Sequence, residues 1–290
     1  MQMDLPLYKD RAQDILQHYL PKKSFVHDPY DHKSPLIQEI AGVFHPQVRA
    51  LPLIHDLTYP HNLSGLTVLN VARNSTQNSF VLSSLVGRSG SVIALENNVS
   101  MIDRAERALI EQEDDQTPVE SNLEFFEGDF ERLHEQCFAD EDFDVIISHL
   151  DLKASELTKS LLTECYRILS EGGEFILTEI FSRARCEEAL YLPDFIDLLS
   201  ESGFVDIRLM DVKPCSHHQN KNFYQMTLRL FKLKDLEKRE EDYGQMVRYN
   251  GGVQGMEESF VLGLGQEFIK GKWHAVSGNT YLILNQSRFE

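Results

Sequence analysis

The stretch VLNVARNSTQNSFVL, Val68–Leu82, carries the pattern that decides the fold. Its apolar residues run up to Val71, a polar segment follows, and SFVLSSLVG from Ser79 onward has the composition of a helix. A strand, a tight turn and a helix in this order form the entry unit of a Rossmann-like sheet. Such turns usually carry glycines, because the backbone approaches a bound ligand closely and adopts positive φ angles. This turn contains no glycine.

The alternation of strand and helix continues along the chain. Strands are predicted at LTVLNV, SVIALE, LEFFEGDF, FDVIISHLD and GEFILTEIF. Between them lie the helical patterns VSMIDRAERALIEQE and LTKSLLTECYRIL, and Gly172–Gly173 is expected to end the second of these. This spacing predicts an α/β fold with a parallel sheet covered by helices on both faces. After one more helix, LPDFIDLLSESGF, the segments DIRLMDV and FYQMTLRLFKLK are predicted to close the sheet as an antiparallel pair.

Three regions are expected along the chain. Residues 1–60 form an N-terminal cap with a helix in YKDRAQDILQHYL, and residues 61–234 form the α/β domain. Residues 235–290 form a small α+β appendage that is too short to bury a core of its own, so it is expected to pack on the larger domain. The charged segment KDLEKREEDYG between them is predicted to be a linker or an exposed helix.

Composition narrows the classes of function. The chain has 290 residues and a formal net charge of -18, which argues against a surface for nucleic acid or anionic membranes. No apolar run resembles a signal peptide or a membrane span. The four cysteines are widely spaced and match no metal-ligand pattern. We therefore expect a cytoplasmic protein with reduced thiols, no metal site, and a small molecule as its candidate partner.

Several segments together resemble the arsenite methyltransferases, a family of S-adenosylmethionine-dependent methyltransferases. The resemblance is carried by LSSLVGRSGSVIALE, FDVIISH, CYRILSEGGEFILTEIF and TLRLFK, and above all by RYNGGVQG followed by NQSRF. It covers residues 61–289. It implies a Rossmann-like, seven-stranded methyltransferase sheet with an N-terminal helical cap and a small β-rich C-terminal appendage. It also implies S-adenosylmethionine as the cofactor.

The cofactor loop departs from the pattern that the resemblance implies, which is similar to Leu-Asp-Leu-Gly-x-Gly-x-Gly. Asn70 stands at the acidic position, and Ala72, Asn74 and Thr76 stand at the three glycines. Arg73 replaces a small residue. Asn74 can adopt a left-handed conformation, but the β-branched Thr76 would be strained at a positive φ. The added Cβ atoms would also crowd the methionine part of the cofactor. The altered loop disfavours S-adenosylmethionine binding.

Other positions that the resemblance assigns to the cofactor are acidic as expected. Glu96 ends the second strand, where ribose hydroxyls would bind, and Asp129, followed by Phe130, matches a position at the adenine edge. Acidic residues at strand ends also serve as helix caps. Because the resemblance places Arg73 beside Glu96, one hypothesis is an Arg73–Glu96 pair that fills part of the cleft. The alternative is that Arg73 points to solvent.

The thiols that the resemblance implies for arsenic are almost all absent. A trivalent arsenic centre needs soft thiolate ligands. The first 136 residues contain no cysteine, and the expected Ser-Asn-Cys after the fourth strand is Ser148, His149 and Leu150. Cys186 lies one residue out of register with the last expected thiol. Arsenite methylation is therefore disfavoured.

Three hypotheses for the function follow. The first is a pseudoenzyme that keeps the methyltransferase fold for a binding, scaffold or storage role, since fold and function separate readily. The second is a diverged methyltransferase of another small molecule, with His149 as a base. The third is an enzyme that uses the old pocket for non-methylating chemistry, with acid–base groups from His149, Asp151, His217 and His218.

Overall fold

The structure is a computed structural model. It describes residues 35–54, 57–73, 75–114, 122–150, 152, 156–182, 184–214, 223–239 and 241–290. The helix predicted in YKDRAQDILQHYL lies outside the described residues, as do Asn74, Asp151, His217 and His218.

One sheet organises the larger part of the chain. Its strands are β1 (Thr67–Asn70), β2 (Ser91–Glu96), β3 (Leu123–Glu127), β4 (Phe143–Ser148), β5 (Leu169–Ser182), β6 (Leu190–Tyr191), β7 (Ile207–Pro214) and β8 (Phe223–Phe231). Seven of them lie in the order β3-β2-β1-β4-β5-β8-β7, and the two-residue β6 pairs with β5. The first five strands are mutually parallel, whereas β8 is antiparallel to both β5 and β7. The Rossmann-like α/β fold and its antiparallel closing pair are thus confirmed.

Helices cover both faces of the sheet. They are α1 (Pro35–Gly42), α2 (Pro46–Arg49), α3 (Thr76–Val86), α4 (Val99–Asp114), α5 (Glu156–Ile168) and α6 (Leu192–Glu201). Because alternate residues of a strand point to opposite faces, the apolar run of β4 enters two separate clusters. Ile146 packs with the residues of α5 and α6, whereas Val145 and Ile147 pack with those of α1 to α4.

Gly172–Gly173 has a different role from the predicted one. Helix α5 ends at Ile168, and both glycines lie within β5. Gly172 has a φ of +81°, and a Cβ atom there would lie 2.7 Å from the carbonyl oxygen of Gln286. The Gly172 carbonyl also accepts a hydrogen bond from the backbone N–H of Arg288 at 3.2 Å. Gly172 is therefore the place where the C-terminal segment docks on the sheet, and the pair is not a helix stop.

The C-terminal appendage contains two small antiparallel sheets and a helix. Strand β9 (Gln245–Arg248) pairs with β12 (Trp273–Val276), and β10 (Ser259–Gly263) pairs with β11 (Gln266–Ile269), before α7 (Gly278–Gln286). Its apolar residues pack on Phe231 and Leu233 at the end of β8, so the appendage rests on the larger domain as expected. In the charged segment between them, the described residues form turns and no helix. No helix in the part of the chain that the structure describes is long and apolar enough to cross a membrane.

Candidate functional site

The parallel strands bring the predicted site residues to one edge of the sheet. Asn70 ends β1, Glu96 ends β2 and Ser148 ends β4, while Asp129 follows β3 by two residues. The carboxyl ends of parallel strands are where open α/β sheets bind their ligands. This edge is accordingly the candidate site, and the cleft between the ends of β1, β2 and β3 is called the strand-end cleft below.

Asn70 is buried and holds the loop after β1 closed on itself. Its side-chain amide donates to Ser75 Oγ at 3.1 Å and to Ser79 Oγ at 2.8 Å. Its carbonyl oxygen accepts from the backbone N–H of Ala72 at 3.3 Å. The Ser75 hydroxyl in turn donates to the Ala72 carbonyl. The Asn70 side chain and the Ser75 hydroxyl are thereby satisfied by the loop itself and by the start of α3.

Arg73 crosses the strand-end cleft toward β3. Its backbone N–H donates to the His149 carbonyl at 3.0 Å. Its guanidinium carbon lies 4.8 Å from the centroid of the Phe130 ring, and Nη2 lies 3.4 Å from Glu131 Oε1. Because β2 lies between β1 and β3, this contact passes over the end of β2. The predicted Arg73–Glu96 pair is wrong, because the arginine reaches one strand farther and pairs with Glu131 instead.

Glu96 and Asp129 both accept hydrogen bonds from nearby backbone. Glu96 is half-buried, and its Oε1 accepts from the N–H of Asn98 at 3.0 Å. Asp129 caps the 3-10 helix Phe130–Gln136, since its Oδ1 accepts from the N–H of Glu131 at 3.0 Å. The third strand, predicted to run through Phe130, ends at Glu127. Phe130 itself is buried in the core beside Leu133.

The loop after β4 is tied to the sheet by a residue that the sequence analysis did not single out. Glu179 of β5 is buried, and its two carboxylate oxygens accept from the N–H of Leu150 at 3.1 Å and of Leu152 at 2.8 Å. His149, in the same loop, is half-buried. An acidic residue inside the apolar run FILTEIF was the available signal, because a buried carboxylate needs donors.

The described residues include three of the four cysteines, none of them in a disulfide. Cys137 and Cys186 are exposed, and Cys165 is buried in α5, where burial raises the pKa of its thiol. Cys215, His217 and His218 lie outside the described residues. Within the described ranges, no group of three or more His, Cys, Asp or Glu side chains is arranged to hold a metal ion.

A second polar centre lies inside the sheet near the appendage. The sequence analysis did not single out its residues either. Glu174 of β5 is fully buried between Arg229 of β8 and Arg288, with Arg229 Nε 2.6 Å from Glu174 Oε1. Burial works to raise the pKa of Glu174, but the two guanidinium charges outweigh it and hold the pKa below its ordinary value. Arg229 also donates to the Leu262 carbonyl at 2.8 Å. We call Glu174, Arg229 and Arg288 the buried charge cluster.

Comparisons with known proteins agree with this architecture. The sequence model of a family described as "Methyltransferase domain" matches residues 62–247. A second model, described as "Arsenite methyltransferase C-terminal domain", matches residues 242–290. The two matches overlap at residues 242–247, at the start of β9 within the appendage.

Individual relatives cover most of the chain. The arsenite methyltransferase of Aquipseudomonas alcaligenes is 32% identical over 278 residues, which cover 88% of this chain and 79% of the relative. The arsenite methyltransferase of Homo sapiens is 27% identical and covers 80% and 68%, respectively. The crystal structure of an arsenic(III) S-adenosylmethionine methyltransferase from Chlamydomonas reinhardtii is 26% identical, with a TM-score of 0.79 and coverage of 88% of this chain and 93% of the other.

Proposed function

We propose that this chain, which belongs to the arsenite methyltransferase family, is a binding protein on the methyltransferase fold that does not methylate arsenite. The observation that carries the proposal is the Arg73 contact with Phe130 and Glu131 across the end of β2. In the family's arrangement, the ribose of S-adenosylmethionine would lie at that strand end, beside Glu96.

The loop after β1 also fails to fit the cofactor in the manner of the family. The family's glycines let the backbone approach the methionine part, whereas Ala72 and Thr76 carry Cβ atoms there. The Asn70 hydrogen bonds fix this loop through buried groups, and each is worth about 1 kcal/mol. The Arg73 contact is weaker, since the side chains of Arg73 and Glu131 are 46% and 53% exposed. Cofactor binding in the manner of the family would therefore require the loop to change, not only the arginine to move.

Arsenite methylation is the competing hypothesis, because the relatives carry that activity in their names. The thiol set argues against it for this chain. No cysteine precedes Cys137, and the loop after β4 has Leu150 where the family pattern has a cysteine. Cys165 is buried with a raised thiol pKa, so it is not a thiolate ligand at neutral pH. Arsenic(III) would thus lack the soft ligands that hold it for methyl transfer.

The decisive experiment is a calorimetric titration of S-adenosylmethionine and S-adenosylhomocysteine into the purified chain. We expect no binding at millimolar cofactor, and micromolar binding would overturn the proposal. The same titration on Arg73→Ser tests whether the Arg73 side chain obstructs cofactor binding at the end of β2. The control is Arg132→Ser, because Arg132 is an exposed arginine of the neighbouring 3-10 helix. In a parallel assay with arsenite, a thiol reductant and S-adenosylmethionine, we expect no methylated arsenic above a no-enzyme control.

A second candidate function is methyl transfer to a different small molecule. The observation that favours it is that Glu96 and Asp129 remain at the ends of adjacent strands, with half-buried carboxylates. In that case Glu96 would bind the ribose, Asp129 and Phe130 would border the adenine, and His149 would serve as the base. Asp151, which follows Leu150 in the sequence and lies outside the described residues, would be a second acid–base group. Micromolar cofactor binding without arsenic methylation would select this function.

A further inference from the structure

The C-terminal appendage, together with Asn62 ahead of β1, lines a partly open cavity of about 560 Å³. Its walls carry six aromatic side chains: Tyr249, Phe260, Phe268, Trp273, Tyr281 and Phe289. None of its lining residues belongs to the strand-end cleft. The volume lies within the range of roughly 300–1,000 Å³ that is typical of small-molecule sites. The lining combines these rings with polar side chains, among them Asn62, Asn250 and Asn285.

The floor of this cavity is fixed by the buried charge cluster. Phe260 and Phe268 are buried, and the ring centroids of Phe260 and Phe289 lie 4.8 Å apart. The guanidinium carbon of Arg288 lies 4.4 Å from the Phe289 ring centroid, and that of Arg229 lies 5.4 Å away. The Phe289 ring, which packs on Phe260, is thus held in place by two arginines that are themselves paired with a buried carboxylate. A floor arranged before the ligand arrives lowers the entropy cost of binding.

One wall is formed by the motif Tyr-Asn-Gly-Gly, whose conformation is also fixed before a ligand binds. The Tyr249 hydroxyl accepts from the N–H of Val253 at 3.0 Å and donates to the Met256 carbonyl at 2.9 Å. Gly251 has a φ of +83°, and a Cβ atom there would lie 2.7 Å from the Glu257 carbonyl oxygen. The turn therefore requires a glycine, and it holds the Tyr249 ring against the cavity.

The entrance carries a cation beside the only tryptophan of the chain. Trp273 is 63% exposed, and the guanidinium carbon of Arg248 lies 5.3 Å from its ring centroid across the β9–β12 pair. In the part of the chain that the structure describes, Arg248 makes no ion pair. The other charged side chain of the lining is Glu290, which is exposed.

We infer that this cavity binds a planar aromatic acid. The ring of such a ligand would stack or pack edge-on among the aromatic walls, which is the arrangement that aromatic side chains prefer. Its acidic group would receive charge-assisted hydrogen bonds from Arg248, which are stronger than neutral ones. The same guanidinium would repel a cationic ligand of similar shape. The inference uses no residue of the strand-end cleft and holds whether or not that cleft takes a cofactor.

Trp273 allows a direct test, since any change in tryptophan emission comes from the entrance of the cavity. We would titrate the full chain with three probes that share one ring system, namely naphthoate, naphthamide and naphthylmethylammonium, and follow emission and calorimetric heat. We expect saturable binding of naphthoate and weaker binding of the neutral amide. Arg248→Gln should weaken naphthoate binding roughly tenfold and leave the amide unchanged.

Matched variants decide the role of charge. Glu290→Gln removes the other charge of the lining and should leave naphthoate binding unchanged or tighter, while Arg248→Lys should be intermediate because it keeps the charge without the planar fork. Thermal melts by circular dichroism verify that each variant is folded. The inference is overturned if naphthoate shows no saturable signal, if the three probes bind equally, if the ammonium binds best, or if folded Arg248→Gln binds naphthoate like the parent.

Discussion

Arg288 of the appendage forms a buried ion pair with Glu174 of β5, 114 residues earlier in the chain. Arg229 pairs with the other oxygen of the same carboxylate, so that one buried acid faces two guanidinium groups. Arg288 also donates to the Asn62 carbonyl at 3.0 Å, ahead of β1. The buried charge cluster thus joins the beginning of the sheet domain, its inner strands β5 and β8, and the appendage.

Removing one partner of this cluster is expected to be costly. Arg288→Ala leaves part of the charge of Glu174 uncompensated in the interior, and breaking a buried pair typically costs about 3–5 kcal/mol in the free energy of unfolding. Urea denaturation of the variant and the parent measures this difference. The control is Glu201→Gln, which removes the exposed Lys159–Glu201 pair and should cost less than about 1 kcal/mol. Equal effects from the two variants would contradict this account.

The stability of the chain should depend on pH through Glu174. Its pKa in the folded chain is lowered, so the unfolded chain binds this proton more tightly. The stabilisation is therefore fully present above the ordinary glutamate pKa and is lost as pH falls through the lower, folded-state pKa. Urea denaturation over an acidic pH series should show the stability difference between the parent and Glu174→Gln shrinking as pH falls. A difference that stays constant over that series would refute the role of Glu174.

The docking of the C-terminal segment should depend on a glycine at position 172. Gly172→Ala places a Cβ atom 2.7 Å from the Gln286 carbonyl oxygen at a positive φ, which is strained for any side chain. We expect a loss of roughly 1–3 kcal/mol in the free energy of unfolding. Gly252→Ala is the control, because a Cβ atom there meets nothing within 4 Å. Hydrogen exchange in α7 should rise in the first variant and not in the second.

The loop after β4 should loosen when Glu179 loses one acceptor. Glu179→Gln retains one carboxamide oxygen for two backbone N–H groups, so either Leu150 or Leu152 loses its partner. A buried donor left without an acceptor costs about 1–3 kcal/mol. Amide exchange at these two residues should accelerate, whereas exchange at Val71, whose N–H bonds to Ile147, should not. Unchanged exchange at both leucines would show that Glu179 does not hold the loop.

Some of the site was predictable and some was not. Glu96 was placed correctly at the end of β2, because hydrophobic periodicity indicates where a strand stops. The first and third strands are shorter than predicted and end at Asn70 and Glu127, so Asp129 lies beyond β3. The partner of Arg73 was not predictable, since a long side chain selects among acceptors by the final positions of neighbouring strands. Phe130 and Glu131 come after β3, about sixty residues later in the chain.

The pattern of apolar residues predicted the alternating strands and helices, the parallel sheet and its helix-covered faces, because these features depend on local periodicity. Short segments such as Tyr-Asn-Gly-Gly carried the resemblance to the family, whereas the order of the strands was decided by the tertiary structure. The role of Gly172–Gly173 required the folded chain, since a glycine pair signals a turn or a close approach, and only the neighbour at Gln286 distinguishes the two. The buried charge cluster was likewise invisible in sequence, because Glu174, Arg229 and Arg288 resemble ordinary surface charges until folding brings them together and removes the water around them.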